Sequence, residues 1–279
     1  MTILAKVRAS SWGELFDCPL RWHAKNVLGL RNPTRGAMQI GTAIHKGTAV
    51  FDNVMCSGTM GKESNLVEAS VQAAVEAIDK PTNEDGTPTE VEYDEDVNQG
   101  QAKDYAVKLT AKYCREVAPA KTYTAVEVKC VGLDVTTEEG VIRLSGTTDR
   151  VERSTGTYGA INEGIADLKT GATAVGADGV AKTAGHHLQL GVYTLLAEAE
   201  LKRPLGAARI IGFQTSSKLR IGEGVVEKPK QALVGDGDNP GLIEVAAKML
   251  KSGLFPPNPK SMLCSEKYCP YHSRCIYHN

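Results

Sequence analysis

The chain has 279 residues, and its 33 acidic and 32 basic side chains leave a net charge of -1, so no global positive field marks it as a binder of polyanions. No apolar run approaches the length of a bilayer span, and the amino terminus lacks the apolar core of a secretory signal, which sets the expectation of a cytoplasmic protein without a membrane partner. Seven cysteines, an odd number, argue against a disulfide framework and make metal ligation the better use of any cysteine cluster.

This length can bury the core of one large domain over residues 1–279. Residues 1–120 read as mainly helical, 121–215 as the core that carries the chemistry, and 216–279 as a strand, a helix and a cysteine-rich end. From residue 10 to 30 the pattern is helical, with Ser10 or Ser11 as cap, an apolar stripe of Trp12, Leu15, Phe16 and Leu20, and Pro19 interrupting or restarting the helix. A second helix is expected over Met38 to Val54, and a third through Leu66, Val67, Val71, Val75 and Ile78. The acidic stretch Pro81 to Asp96 contains Pro81, Gly86 and Pro88 and reads as an exposed loop. A helix follows from about Gln101 to Val117, then a strand over Ala125 to Val131. Two further segments alternate apolar residues, Val141, Ile142 and Leu144 in one and Ile161, Ile165 and Leu168 in the other, as an antiparallel strand pair does. The remaining expectations are a helix from His187 to Leu201, a strand over Ala208 to Phe213, a weaker one near Gly224 to Lys228, and an amphipathic helix over Pro240 to Leu250. This order suggests an α/β sandwich, a mixed central sheet flanked by helices, rather than a doubly wound parallel sheet.

The strand pair carries the chemistry. Ser145, Gly146, Thr147, Thr148, Asp149 and Arg150 precede Asp167, Leu168 and Lys169 by one hairpin. Residues two apart in a strand share a face, so Asp167 and Lys169 point one way and Leu168 the other, which leaves the Leu168 carbonyl near the carboxylates. Two carboxylates and a carbonyl offer only oxygen and suit a hard cation such as Mg²⁺ or Mn²⁺. The lysine can then orient a water and offset charge building on a phosphoryl oxygen. The alternative is a surface hairpin whose polar residues simply face water; either piece alone is weak, and the two together, preceded by Gly146 where backbone can approach closely, favour the functional reading.

Five other features gain meaning beside that pair. His45 opens an apolar helix and, next to the sheet, could complete a cation's shell, which would favour Mn²⁺. Gln189 and Tyr193 stack on one helix face and could hold a phosphate or a base edge, although a tyrosine at a core boundary is ordinary. Glu127 is either a third carboxylate or a solvated strand residue, and Arg150, Lys218 and Arg220 either line a phosphate groove or face water. Cys264, Cys269 and Cys275, with Cys18 at the other end of the chain, could hold Zn²⁺ or an iron-sulfur cluster, His272 or His278 replacing Cys18 if the metal is zinc. Cys56, Cys114 and Cys130 fall on apolar faces and read as core residues.

The ordered set of His45, Gly146 to Asp149, Asp167 to Lys169, and Gln189 to Tyr193, framed by Cys18 and the terminal cysteines, resembles the RecB-like branch of the PD-(D/E)XK nucleases. It is most similar to the members with an iron-sulfur cluster, such as the AddB nuclease domain, the CRISPR adaptation nucleases and phage-encoded relatives. The resemblance implies a restriction-endonuclease-like core with metal held by His45, Asp149, Asp167 and the Leu168 carbonyl. It further implies Lys169 acting on the attacking water, Gln189 and Tyr193 in support, and a 4Fe-4S cluster on Cys18, Cys264, Cys269 and Cys275. Four residues separate Cys264 from Cys269 where the branch more often has two, which keeps zinc open. The activity implied is a DNA exonuclease of recombination or repair acting on single-stranded ends. The rival is a DNA-end-binding accessory protein with vestigial catalysis.

Overall fold

The computed structural model describes residues 2–58, 63–83, 85–95, 97–155 and 161–278. A six-stranded mixed sheet organises the chain: β1 (Ile3–Arg8), β4 (Tyr123–Thr136), β5 (Val141–Thr155), β6 (Ile161–Gly171), β7 (Ala208–Gln214) and β8 (Ile221–Val226). Its order is β1-β5-β6-β7-β8, with β4 along the free side of β5. Helices α1 (Trp12–Asp17), α2 (Pro19–Asn26), α6 (His187–Leu201), α7 (Gln231–Val234) and α8 (Leu242–Ser252) contribute to the core on one face. Helices α3 (Gly36–Ser57), α4 (Glu63–Asp79) and α5 (Gln99–Lys112) build the core on the other. This is the mixed α/β architecture of the restriction-endonuclease-like fold.

The pairing of β5 opens a gap. Along one edge it is matched to β4, with a register shift between Cys130 and Leu133. Along the other edge it pairs in parallel with β1 from Val141 to Ser145, and antiparallel with β6 only from Arg150 onward. Gly146 to Asp149 therefore lie where β5 has left one neighbour and not yet met the next. On the face of α6, a Cβ at Gly146 would stand 3.0 Å from Tyr193 Cε1 and 3.2 Å from Ala9 Cβ, so glycine lets the helix sit directly against the break. Across the sheet, a Cβ at Gly47 would lie 2.7 Å from the Ser70 carbonyl and 2.9 Å from Ala74 Cβ. That close approach seats α3 among α4 and α5 and fixes the helix that carries His45.

Pro19 restarts the first helix as expected, standing at the first turn of α2, where its missing N–H is harmless. Asn98 caps α5 reciprocally with Gln101, and a π turn over Tyr113–Val117 extends it. Four expectations need correction. Strand β1 was not anticipated, because only Val7 of its six residues is buried and no alternation shows. The acidic segment is not wholly loop: β3 (Val91–Glu92) pairs in parallel with β2 (Thr34–Arg35), while its Glu84 and Asp96 lie outside the described residues. The weaker strand sits at Ile221–Val226, earlier than expected. Cys56 is exposed, because α3 runs past the core before ending at Gly58, whereas Cys114 and Cys130 are buried.

Candidate active site at the break in the sheet

The groups expected from the sequence meet around one peptide unit. Asp149 Oδ2 accepts the Leu168 N–H at 2.8 Å, and His45 Nε2 stands 3.0 Å from the Leu168 carbonyl oxygen. His45 Nδ1 is 3.3 Å from Asp149 Oδ1, which closes the ring. The Leu168 side chain is buried in the core of α3, α4 and α5, so only its backbone faces the site. Just beyond it, Lys169 Nζ lies 2.7 Å from Asp167 Oδ2. Asp167 is 1% exposed.

Charge is distributed unevenly between the two carboxylates. Burial by itself would raise Asp149, but His45, Lys169 and the Leu168 N–H together hold it well below the usual carboxylate range. Asp167 goes the other way, pushed up to about 6 by burial and by the charge of Asp149 against the pull of Lys169. His45 loses some basicity to burial, yet the two aspartates more than restore it and its pKa is raised. A carbonyl only accepts, so His45 Nε2 carries the hydrogen it shares with Leu168 O.

From the opposite face, Gln189 Nε2 donates to Tyr193 Oη at 3.1 Å. Burial and the nearby charges of Asp167 and Asp149 raise the Tyr193 phenol, which keeps it protonated. His186, at the start of α6, is lowered to about 4 by burial and by the Lys169 and His187 charges, so it is neutral at physiological pH.

A divalent cation would find these donors only partly arranged. Among the described residues, no three His, Cys, Asp or Glu side chains stand preassembled around one point, because Lys169 is turned onto Asp167 and His45 onto Leu168. The set nonetheless fits a hard ion. It consists of carboxylate and carbonyl oxygens with one imidazole, gathered around the Leu168 peptide group.

Residues 9–276 match the family described as the PD-(D/E)XK nuclease superfamily. The chain belongs to that superfamily. A "Putative exonuclease" from Eubacterium rectale, known from its crystal structure, superposes with a TM-score of 0.53 at 13% identity, covering 99% of this chain and 91% of that one. The likeness is one of fold. No curated protein matches the chain. A divalent metal is typical of the superfamily, and a nucleic-acid substrate is implied by membership. Among the described residues, no helix is long and apolar enough to cross a membrane.

In this superfamily member the two ends of the chain meet. Cys18, Cys264, Cys269 and Cys275 line one narrow cavity together with His272 and His278, whose rings stack at 3.9 Å. The junction is made by residues that sequence reasoning passed over. Arg21, 2% exposed, binds Glu14 at 2.7 Å and Asp17 at 2.8 Å. Asp17 in turn accepts from Ser261 Oγ at 2.6 Å and, through its carbonyl, from Asn258 at 2.9 Å. All four cysteines are free thiols, and among the described residues no three of these cysteine and histidine side chains stand arranged to hold one metal ion.

The expected basic groove does not form as read. Arg150 is fully buried against Asp52, because a counter-ion 98 positions upstream waits for it inside the core. Arg220 donates to the Gly176 and Ala177 carbonyls, and only Lys218 faces solvent freely. Glu127 stands in register between the Val126–Arg150 and Val128–Thr148 pairs, with a left-handed φ of 50°. It opens onto a groove of about 470 Å³ lined also by Lys46, Asn53 and Glu76. Thr48 and Asp52 were also missed. Their signal is spacing: with His45 they fall at i, i+3 and i+7, on one face of α3.

Proposed function

We propose that the protein is a metal-dependent deoxyribonuclease that hydrolyses phosphodiester bonds, working as an exonuclease from single-stranded DNA ends in recombination or repair. The observation that carries the reading is the convergence of His45, Asp149, Asp167 and Lys169 on the Leu168 peptide group at the break in the sheet. Asp149, Asp167, the Leu168 carbonyl and His45 would hold a Mg²⁺ or Mn²⁺ ion, which would supply acidified water and offset charge on the phosphoryl oxygens.

The chain's own groups do the rest. Asp149, kept ionised by its surroundings, presents a permanent carboxylate. His45 must give up the hydrogen it shares with Leu168 O before its nitrogen can act as a ligand. The Lys169 ammonium, mostly shielded from solvent, places positive charge where the attacked phosphate gains negative charge and orients the attacking water. Gln189 and Tyr193 offer an amide and a protonated phenol to a phosphate or a base edge.

Preference for ends and for single strands rests on the resemblance to the RecB-like branch, as does a 4Fe-4S cluster on Cys18, Cys264, Cys269 and Cys275, with Zn²⁺ as its alternative. The shared cavity of these cysteines supports a metal group there. A cytoplasmic, reducing setting suits free thiols.

The test is a time course on labelled single- and double-stranded oligonucleotides, with free or blocked ends, in Mn²⁺, Mg²⁺ or EDTA. Metal-dependent shortening of free single-stranded ends is expected. Retention of DNA without product would overturn the hydrolytic reading in favour of a DNA-end-binding accessory protein.

A further inference from the structure

A fully buried ion pair stands behind the site and takes no part in the chemistry described above. Asp52 on α3 and Arg150 on β5 are 1% and 0% exposed, with Arg150 Nε 2.6 Å from Asp52 Oδ2. Such a pair is often no more stabilising than apolar residues of the same volume, since desolvation of both charges offsets their attraction. Stability alone is therefore a weak reason for its presence.

The hydrogen bonds give a better one. Arg150 uses all three of its nitrogens: Nε on Asp52, Nη2 on Thr48 Oγ1 at 3.1 Å, and Nη1 on the backbone carbonyl of Asp149 at 2.8 Å. Asp52 Oδ2 also accepts from Tyr113 Oη at 2.9 Å. Tyr113 spends its single hydrogen there, so Tyr123 is the donor in the 2.9 Å contact between the two phenols. Among the described residues Asp52 Oδ1 is buried without a hydrogen-bond partner, and Arg150 and Tyr113 answer the charge through Oδ2. One rigid helix thus carries His45 and both side chains that hold Arg150, and one strand carries Arg150 and Asp149. The guanidinium thus joins the helix of His45 to the strand of Asp149, whose side chains are 3.3 Å apart at their closest.

We propose that Asp52, Thr48 and Arg150 are positioning residues, a buried clamp between α3 and β5 that holds His45 and Asp149 in register for cation binding. This rests on the nuclease-site reading above. Ligands need placement to within about 0.5 Å, and loss of the groups that orient ligands typically weakens metal affinity about 10- to 100-fold.

The experiment measures Mn²⁺ binding to the full-length protein by calorimetry and by the Mn²⁺-induced rise in melting temperature, with KM for DNA alongside. Asp52→Asn is expected to weaken Mn²⁺ binding by about tenfold or more. Thr48→Val, which leaves the ion pair intact, should weaken it by a smaller factor, and KM should hold in both. A purely structural role predicts lower melting temperatures with unchanged Mn²⁺ affinity in both variants, and that result overturns the proposal. Should Asp52→Asn fail to fold, Thr48→Val decides by the same criterion. Asp149→Ala separates the two levels of the account: if it binds Mn²⁺ as the unaltered protein does, the site reading falls, and the clamp with it.

Discussion

Replacing Asp167 with asparagine should make the protein more stable at neutral pH while abolishing cleavage. Burial and the neighbouring Asp149 charge lift the Asp167 pKa from 3.8 to about 6 even with Lys169 beside it. An acid whose pKa is higher in the fold than in the unfolded chain binds more protons folded than unfolded between those values, so stability falls as pH rises through that window. At about 1.4 kcal/mol per pKa unit, the rise from 3.8 to about 6 corresponds to about 3 kcal/mol held against the fold above pH 6. Asparagine removes that charge without changing the shape. It also deprives Lys169 of its partner, but that side chain is 22% exposed and can take water instead. A net gain of about 1–2 kcal/mol is expected, or several degrees in melting temperature for a chain of this size. Urea unfolding in EDTA at pH 8 and pH 4 measures it: the variant should be the more stable at pH 8, and the difference should vanish at pH 4. A variant less stable at pH 8, or a gain that does not depend on pH, would refute the reasoning. Stability sacrificed for activity is the expected signature of a charged site held out of water.

Two more outcomes follow from other groups. His186 is lowered to about 4 in the fold, so the unfolded chain takes up its proton first, and stability from this residue is present above its ordinary pKa of 6.5 and lost as pH falls toward 4; His186→Gln should flatten that part of the stability profile in paired urea titrations. Under native conditions, a thiol-alkylating reagent should label exposed Cys56, while Cys114, raised by burial to about 12, and Cys130, raised to about 11, stay protected until the chain unfolds. Mass spectrometry of the digested protein reads both, and early labelling of Cys114 would contradict its place in the core.

Much of this architecture was legible because its signals are local. Apolar spacing announced α3, α4 and α6, and strand periodicity placed Asp149 and the Asp167–Lys169 triplet on the neighbouring strands that bring them together. What escaped depends on partners far along the chain. Strand β1 hides because five of its six residues are not buried. Strand β8 was misplaced because Gly222 and Gly224 pack backbone against the carbonyls of Gly179 and Ala181 and show no side-chain pattern. Arg150 was read as a surface cation because charged residues are rarely buried unpaired, and nothing local reveals that Asp52 neutralises it. The helical spacing of His45, Thr48 and Asp52 was there to be read, but a threonine and an aspartate on an apolar helix carry meaning only once the facing strand is known.

The central claim is that two aspartates, a histidine and one backbone carbonyl share a cation at the break in the sheet. Crystals grown with Mn²⁺ and measured at the manganese absorption edge test it directly. An anomalous peak within about 2.5 Å of oxygens from both Asp149 and Asp167, with Lys169 released from Asp167, is the predicted result. Mn²⁺ bound elsewhere with this pocket still closed by the Lys169–Asp167 pair would contradict it.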